Sequence, residues 1–470
     1  MEKSTFAVFL FLLLLNVIIA LSQPLAIFVD EGQYLLISKK MIEGWVPYRD
    51  IVENKPIGMY ISLIPAVLLC GNDFVKLRLY GALIVGVTSF LVFLIGSKTT
   101  GRAAGLLAAL IFICIAAFPS LYGYNLITEP VVNLFVVALF YVLLKEKLNS
   151  ERALLIGILT AAACSVRQTS VFVFLPLAFA FLYYNGKTDK KRILLSFLAG
   201  GAVITIPILL YLTLNSALGD AFYWTFLHLI RLGGSDTESK LQTVGAYSLL
   251  FLPFVLASFL SLLELSKEKK VVWLWLLGSL ILVQVGYAWS HNYILLAPPF
   301  SILAADGIAG AVRKGRNEFV KTFLRGVRIA LFLTMLLVFL EFNIIRESKY
   351  YPSWQEQKQI SDFIANHTNR SEGIFVFRNN AEIYYLSDRE PVGRMSFFFG
   401  GYFEMMDEKE LKEFVFGPLE EKKPRYFVFN AADFAAYRDF KNSNAVRDYM
   451  LENYVYVTGA GPLEVYERKY

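Results

Sequence analysis

The chain has 470 residues, of which 56% are hydrophobic and 18% charged, with a formal net charge of +6 and a mean hydropathy of +0.52. Soluble domains carry about 25% charged residues, so this composition excludes a soluble enzyme and points to an integral membrane protein. The positive charge is not a nucleic-acid signal, because the basic residues are confined to particular loops.

The first apolar run extends from Phe6 to Val29 and is long enough to cross a bilayer, which takes about 20 apolar residues. No small-x-small cleavage site follows its long apolar core, so it reads as a retained anchor and not a signal peptide. Asp30 and Glu31 follow directly, where the chain leaves the far face of the membrane. Next, Tyr34, Leu35, Met41, Ile42 and Trp45 recur at helical spacing with Lys39 and Lys40 opposite, which predicts an amphipathic helix on the outer surface. Residues 56–70 are apolar but contain Pro56 and Pro65. At about fifteen residues they are too short for a comfortable span and read as interfacial. Residues 30–75 thus form a large first outer loop.

Further spans are expected at roughly 76–97, 103–121, 127–144, 153–166, 169–184, 193–214, 243–265, 271–290, 293–311 and 327–345, making about eleven with the first. The pairs around Arg167 and His291 are short, which suggests hairpins whose tips dip into the bilayer and line a cavity. About nineteen basic residues fall in the loops on one side against about seven on the other, which places the N-terminus in the cytoplasm. That side holds Lys3, Lys98, Arg102, Lys145, Lys147, Arg152, Lys187, Lys190, Lys191, Arg192, Lys267, Lys269, Lys270 and the cluster Arg313, Lys314, Arg316, Lys321, Arg325 and Arg328. An odd number of spans then leaves the C-terminal segment outside. Cys70, Cys114 and Cys164 lie far apart in apolar stretches and read as small buried hydrophobes.

From residue 346 onward charged residues become frequent and the apolar runs shrink to strand length, at 374–377, 426–429, 454–457 and 463–466. Helical stretches near 354–365 and 444–452 fall between them. The alternation predicts a small extracytoplasmic α/β domain over 346–470, beside a polytopic α-helical membrane domain over 1–345. Asn366-His367-Thr368 and Asn369-Arg370-Ser371 are glycosylation sequons on that outer side.

Drawn on this topology, ionisable groups gather at the outer face: Asp30, Glu31, Lys55, Arg78, Glu129, Arg167 and His291, with Tyr293 beside the last. Each has a plainer explanation alone. Arg78 can snorkel to headgroups, Glu129 can cap its helix, Arg167 can meet a lipid phosphate, and His291 can sit hydrogen-bonded in an interfacial belt. Together, at the face otherwise poor in basic residues, they are functional candidates. Cations beside carboxylates at a lipid boundary suit one chemistry. They would bind a lipid-borne phosphate and stabilise the charge that develops as it leaves, while a carboxylate takes a proton from the attacking acceptor. That is glycosyl transfer from a lipid-phosphate sugar, and the chain has neither a Walker loop nor a dinucleotide fingerprint.

The order Asp30-Glu31-Gly32-x-Tyr34, a surface helix, Lys55-Pro56 and Arg78-Leu79 resembles the first outer loop of the GT-C glycosyltransferases. It is most similar to the branch holding protein O-mannosyltransferases and lipid A aminoarabinose transferases. Thr128-Glu129-Pro130 resembles the second acidic motif of that branch. Arg167-Gln168-Thr169 resembles its hairpin tip, and His291-Asn292-Tyr293 with Pro298-Pro299 its Arg/His-Tyr…Pro segment. Residues 383–389 resemble its extracytoplasmic domain. The resemblance implies an inverting transferase using a polyprenyl- or dolichyl-phosphate sugar, acting on a protein, lipid or glycan acceptor. It implies Asp30 as base, with Glu31 and Glu129 supporting the acceptor or a divalent ion, for which Asp30 and Glu129 are the candidate ligands. Lys55, Arg78, Arg167, His291 and Tyr293 would hold the donor phosphate. Asn54 stands where the aminoarabinose transferases tend to carry an acidic residue, and no outer loop is long enough for an inserted β-trefoil. Two other classes compete. A flippase or transporter of a lipid-linked sugar would show inverted repeats and mid-membrane charges, and neither is present in the sequence. A receptor or scaffold would not need the outer-edge charges.

Overall fold

The computed structural model describes residues 3–23, 26–144, 148–184, 190–233, 237–284, 289–314, 352–398, 400–436 and 440–469, with scattered positions over 322–343. Through residue 314 the chain is helical: α1 Lys3–Ser22, α2 Val29–Ile42, α3 Gly58–Cys70, α4 Phe74–Thr99, α5 Arg102–Ala116, α6 Thr128–Leu143, α7 Ser150–Val166, α8 Phe174–Tyr184, α9 Lys190–Leu214, the short α10 Leu218–Phe222 and α11 His228–Leu232, α12 Thr237–Leu250, α13 Leu252–Leu260, α14 Lys267–Val283 and α15 Ala297–Lys314. The described residues gather into two compact units. One comprises residues 1–23, 75–210 and 233–343; the other comprises 24–74, 211–232 and 344–470.

Among the described residues, four helices are long and apolar enough to cross a membrane: Lys3–Ser22, Phe74–Thr99, Lys190–Leu214 and Ser290–Arg313. The pair Glu238–Leu250 and Leu252–Glu264, bent by 81°, adds a fifth if read as one span. The expected spans are therefore not matched one for one, and the cause is local. Several apolar stretches are built in pieces, with a tight 3-10 turn over Gln168–Val173 ahead of α8 and another over Ser290–Leu296 ahead of α15. The first expected span, 6–29, needs correction: α1 ends at Ser22 and a separate helix begins at Val29. Asp30 and Glu31 thus stand in the first turn of a new helix. The last expected span, 327–345, falls largely outside the described residues, as do Lys145, Lys147, Lys187, Arg316, Lys321 and Arg328.

Within the first unit, polar groups inside apolar helices are satisfied by one another, as a low-dielectric surrounding demands. Asn16 interrupts the apolar α1 and is fully buried. It donates to the Leu12 carbonyl at 2.7 Å and to Ser89 Oγ of α4 at 3.3 Å, and it accepts from Tyr124 Oη at 2.8 Å. Helices α4 and α5 approach backbone to backbone, since a Cβ on Gly96 would lie 2.9 Å from the Cα of Gly105. Small residues permit such close packing. Lys269 Nζ and Asp306 Oδ2 form a buried ion pair at 2.8 Å, and Thr100 Oγ1 donates to the other Asp306 oxygen at 2.5 Å, so α14, α15 and the turn between α4 and α5 share one polar knot.

The second unit holds a four-stranded sheet in the order β1-β2-β4-β3, built from β1 Phe375–Val376, β2 Tyr426–Asn430, β3 Tyr454–Ala460 and β4 Leu463–Arg468. β1 pairs parallel with β2 in the register Phe375↔Phe427, and β2 pairs antiparallel with β4 in the register Val428↔Val465. All four strands coincide with the apolar runs read from sequence. The amphipathic helix Trp354–His367 packs on β3 and β4. It is started by a capping box in which Ser353 accepts from the Glu356 amide and Glu356 accepts from the Ser353 amide. In the same unit, α2 packs on α3 and on the short helix Glu382–Ser387. Gly32 is required there: a Cβ would meet the Glu382 backbone nitrogen at 2.6 Å.

Candidate active site

The sequence-predicted residues divide between the units. Glu129, Arg167, His291, Tyr293 and Arg78 belong to the first; Asp30, Glu31 and Lys55 belong to the second.

In the first unit, Thr128-Glu129-Pro130 opens α6, with the Glu129 carboxylate 2% exposed. Arg167 closes α7 with an extended backbone, which turns its side chain toward that carboxylate. Arg167 Nη1 donates to Glu129 Oε1 in a short charge-assisted contact. Arg167 Nη2 donates to Asn292 Oδ1 at 3.0 Å, and Nε to Thr169 Oγ1 at 2.9 Å. His291 Nε2 stands 3.9 Å from Glu129 Oε1, with the imidazole between the rings of Trp289 and Tyr122 at 6.4 and 6.1 Å. Asn133, one turn into α6, donates to the Ile294 carbonyl at 2.9 Å. Tyr293 stacks on Tyr247 with ring centroids 5.0 Å apart. The two short hairpin tips singled out in the sequence are therefore bolted to the start of α6 by one buried ion pair and its amide neighbours. Such pairs are costly to break, because removing one partner leaves an uncompensated charge. Arg78, buried on α4, donates to the Tyr124 carbonyl at 2.9 Å. A Cβ at Gly81 would meet the same oxygen at 2.2 Å, so the loop carrying Tyr124 lies directly on α4.

In the second unit, Asp30 and Glu31 occupy the first turn of α2, where the helix dipole favours carboxylates. Their side chains differ in use. Glu31 is fully buried and accepts from the Phe28 amide at 3.3 Å, capping the helix. Asp30 is half-buried, with Tyr34 Oη 3.5 Å from its Oδ2, at the outer limit of a hydrogen bond. Lys55 Nζ donates to Asn54 Oδ1 at 2.7 Å, while the Lys55 carbonyl accepts from Tyr48 Oη at 2.7 Å and Tyr60 Oη at 3.1 Å. Two tyrosines thus fix the backbone of the lysine and leave its ammonium beside an amide.

Sequence reasoning passed over Glu53. Its carboxyl accepts from the Asn54 amide at 2.7 Å, and its pKa is raised by burial and by the Asp30 charge, against the pull of Lys55. Asp30 and Lys55 therefore both act electrostatically on Glu53: two carboxylates and a cation in one loop. The only signal was an acid two positions before Lys55, which in a polar loop is unremarked. Gln33, buried and accepting from Ser396 Oγ at 2.9 Å, was missed for the same reason. Among the described residues no group of three or more His, Cys, Asp or Glu is placed to hold a metal ion, and the candidate ligands Asp30 and Glu129 belong to different units.

Residues 54–211 match the family described as dolichyl-phosphate-mannose-protein mannosyltransferase. The whole chain superposes on ArnT from Cupriavidus metallidurans bound to undecaprenyl phosphate, with TM-score 0.69 and 12% identity over 99% of this chain and 98% of that one. It also superposes on the Archaeoglobus fulgidus oligosaccharyltransferase tethered with an acceptor peptide, with TM-score 0.61 and 12% identity over 100% of this chain and 74% of that one. AglB from the same organism, in complex with an inhibitory peptide and a dolichol-phosphate, gives TM-score 0.58 and 12% identity over 98% and 74%. No curated protein matches the chain in sequence. These likenesses agree with the resemblance drawn from the sequence: the chain shares the fold of ArnT and of the archaeal oligosaccharyltransferase, and residues 54–211 match a mannosyltransferase family.

Proposed function

We propose that the chain is a multi-pass membrane glycosyltransferase that moves a sugar from a polyprenyl- or dolichyl-phosphate donor to an acceptor on the extracytoplasmic face. The observation that carries this reading is the likeness over almost the full length of both chains to ArnT, which was crystallised with undecaprenyl phosphate. AglB, holding a dolichol-phosphate, points to the same donor chemistry. The composition of the second unit's first loop supports it, with Asp30 and Lys55 both within electrostatic reach of Glu53.

In this reading the acceptor hydroxyl or amine attacks the anomeric carbon as Asp30 takes its proton. The bond from that carbon to the phosphate oxygen breaks, and the lipid phosphate leaves with the electron pair, inverting the configuration. Glu53, whose pKa burial raises, interacts electrostatically with Asp30. Lys55 takes the donor phosphate. Glu31 caps the turn that carries Asp30. Arg78, Arg167, His291 and Tyr293 are assigned to the donor phosphate and Glu129 to Arg167, whose guanidinium it orients. The N-terminus lies in the cytoplasm in this topology, with the first loop and the C-terminal segment outside.

The test is transfer of radiolabelled sugar from polyprenyl-phosphate hexose by the purified chain, wild type against Asp30→Asn. Collapse of turnover with donor binding retained supports the reading. Equal turnover removes Asp30 from the chemistry. Movement of the lipid across vesicles without any transfer favours a flippase.

A further inference from the structure

The backbone that aims Asp30 is held by side chains from the far end of the chain. Gln357, on the helix Trp354–His367, is 1% exposed. Its amide bonds Ile27 as a neighbouring strand would: the Ile27 amide donates to Oε1 at 3.0 Å, and Nε2 donates to the Ile27 carbonyl at 2.9 Å. Nε2 also donates to Glu382 Oε1 at 3.0 Å, and Asn380 Nδ2 donates to that same oxygen at 2.8 Å. Asn430, at the end of β2, donates to Asn380 Oδ1 at 3.0 Å. Glu382, 1% exposed, opens the short helix against which Gly32 is pressed. The Ile27 backbone, lying between α1 and α2, has its donor and acceptor both taken by one side chain. The turn from Phe28 to Gly32 is therefore clasped on both sides: Ile27 by Gln357, and Gly32 by the backbone of Glu382. The same helix also reaches the other end of the first loop, where Trp354 and Phe74 bring their rings to 5.0 Å.

We propose that Gln357 and Glu382 are positioning residues that set the direction of the Asp30 carboxylate by fixing the first turn of α2. This deepens, and rests on, the reading of Asp30 as the base. A half-buried carboxylate on a short side chain takes its aim from its backbone, and a displacement of about 1 Å in a reacting group can cost 10²-fold in rate. Substrate binding through other residues is untouched by that displacement, so the loss belongs in kcat and not in KM.

The experiment uses the full-length purified chain and two readouts. One is kcat and KM with polyprenyl-phosphate hexose. The other is amide hydrogen exchange over residues 27–33, which needs no turnover. Gln357→Ala is expected to lower kcat by about 10- to 100-fold, to leave KM within about twofold, and to speed exchange at 27–33. Gln357→Glu sets two carboxyls against each other and is expected to be worse. Adding Glu382→Gln to it should not restore kcat, because a carboxylate at 357 still cannot donate to the Ile27 carbonyl. Faster exchange with unchanged kcat would overturn the positioning role, and unchanged exchange would overturn the clasp itself. If Gln357→Ala does not fold, Gln357→Asn decides, since its shorter amide cannot hold both Ile27 groups: folded protein with wild-type kcat and wild-type exchange at 27–33 refutes the proposal. Should Asp30→Asn turn over like wild type, the base assignment fails by itself, while the exchange data still report on the clasp.

Discussion

Gly32 offers a prediction whose sign depends on two opposing magnitudes. In a helix interior Ala is more favourable than Gly by about 0.8–1.0 kcal/mol, so Gly32→Ala in an isolated α2 would be stabilising. In the folded chain the new Cβ would stand 2.6 Å from the Glu382 nitrogen, 2.7 Å from its Cβ and 2.8 Å from its Cα. Ordinary contact is about 3.5–4.0 Å, and these atoms sit at or beside the backbone, so α2 must move by about 1 Å. Overpacking of this kind costs about 1–3 kcal/mol, and a clash with three atoms near the main chain belongs at the upper end. The net expectation is destabilisation of about 2 kcal/mol, with the first turn of α2 displaced. Gly219→Ala is the control, since a Cβ there meets nothing within 4 Å. Thermal unfolding of the detergent-solubilised variants is the assay. Domains of 150–250 residues lose about 2–4 °C per kcal/mol, so a drop of roughly 4–8 °C is expected for Gly32→Ala and none for the control. A melting temperature for Gly32→Ala equal to or above wild type would show that α2 does not lie on the helix that begins at Glu382.

Breaking the ion pair of the first unit gives a further test. Glu129→Ala removes the counter-charge of Arg167, whose side chain is 11% exposed, and is expected to cost about 3–5 kcal/mol. Adding Arg167→Ala should recover part of that loss, and strict additivity in the unfolding cycle would show the two are not coupled. A third prediction concerns pH. Burial pushes the Glu382 carboxyl from 4.5 up to about 7. Between those values the folded chain keeps a proton that the unfolded chain has released, so this group's contribution to stability declines as pH rises from about 4.5 to about 7 and is flat above. The melting temperature of Glu382→Gln should therefore lack that part of the decline. Parallel pH curves for the two proteins would place the titration elsewhere.

Some of this was legible in the residues. The runs at 374–377, 426–429, 454–457 and 463–466 became strands because β-branched and aromatic residues bounded by polar turns leave little else open to them. The acidic pair at residues 30–31 read as the exit of the first span, and the structure sets it in the first turn of a separate helix, α2. The span count was less legible, since apolar composition marks a lipid or core environment without saying whether the helix through it is continuous. Gln168–Val173 and Ser290–Leu296 each open on three polar residues, Gln168-Thr169-Ser170 and Ser290-His291-Asn292, and wind more tightly than the helices that follow. The bond between Glu129 and Arg167 joins residues 38 apart, and no local pattern links them. Each looked like a separate candidate for the donor or the acceptor, when they first of all hold each other. Glu53 and Gln357 carried no signal, because an acid in a polar loop and a glutamine in an amphipathic helix are both commonplace until a partner from elsewhere is seen.

The bond between Ile27 and Gln357 spans 330 residues, and this sets an order of events during biosynthesis. A ribosome adds about 5–20 residues per second, so roughly 15–65 s separate the appearance of the turn before α2 from that of the side chain that secures it. Throughout that interval the membrane helices can insert while the Ile27 backbone still lacks the side chain that holds it in the folded chain. A nascent or truncated chain lacking the helix at 354–367 leaves that turn unsecured, and its completion awaits the last quarter of the protein.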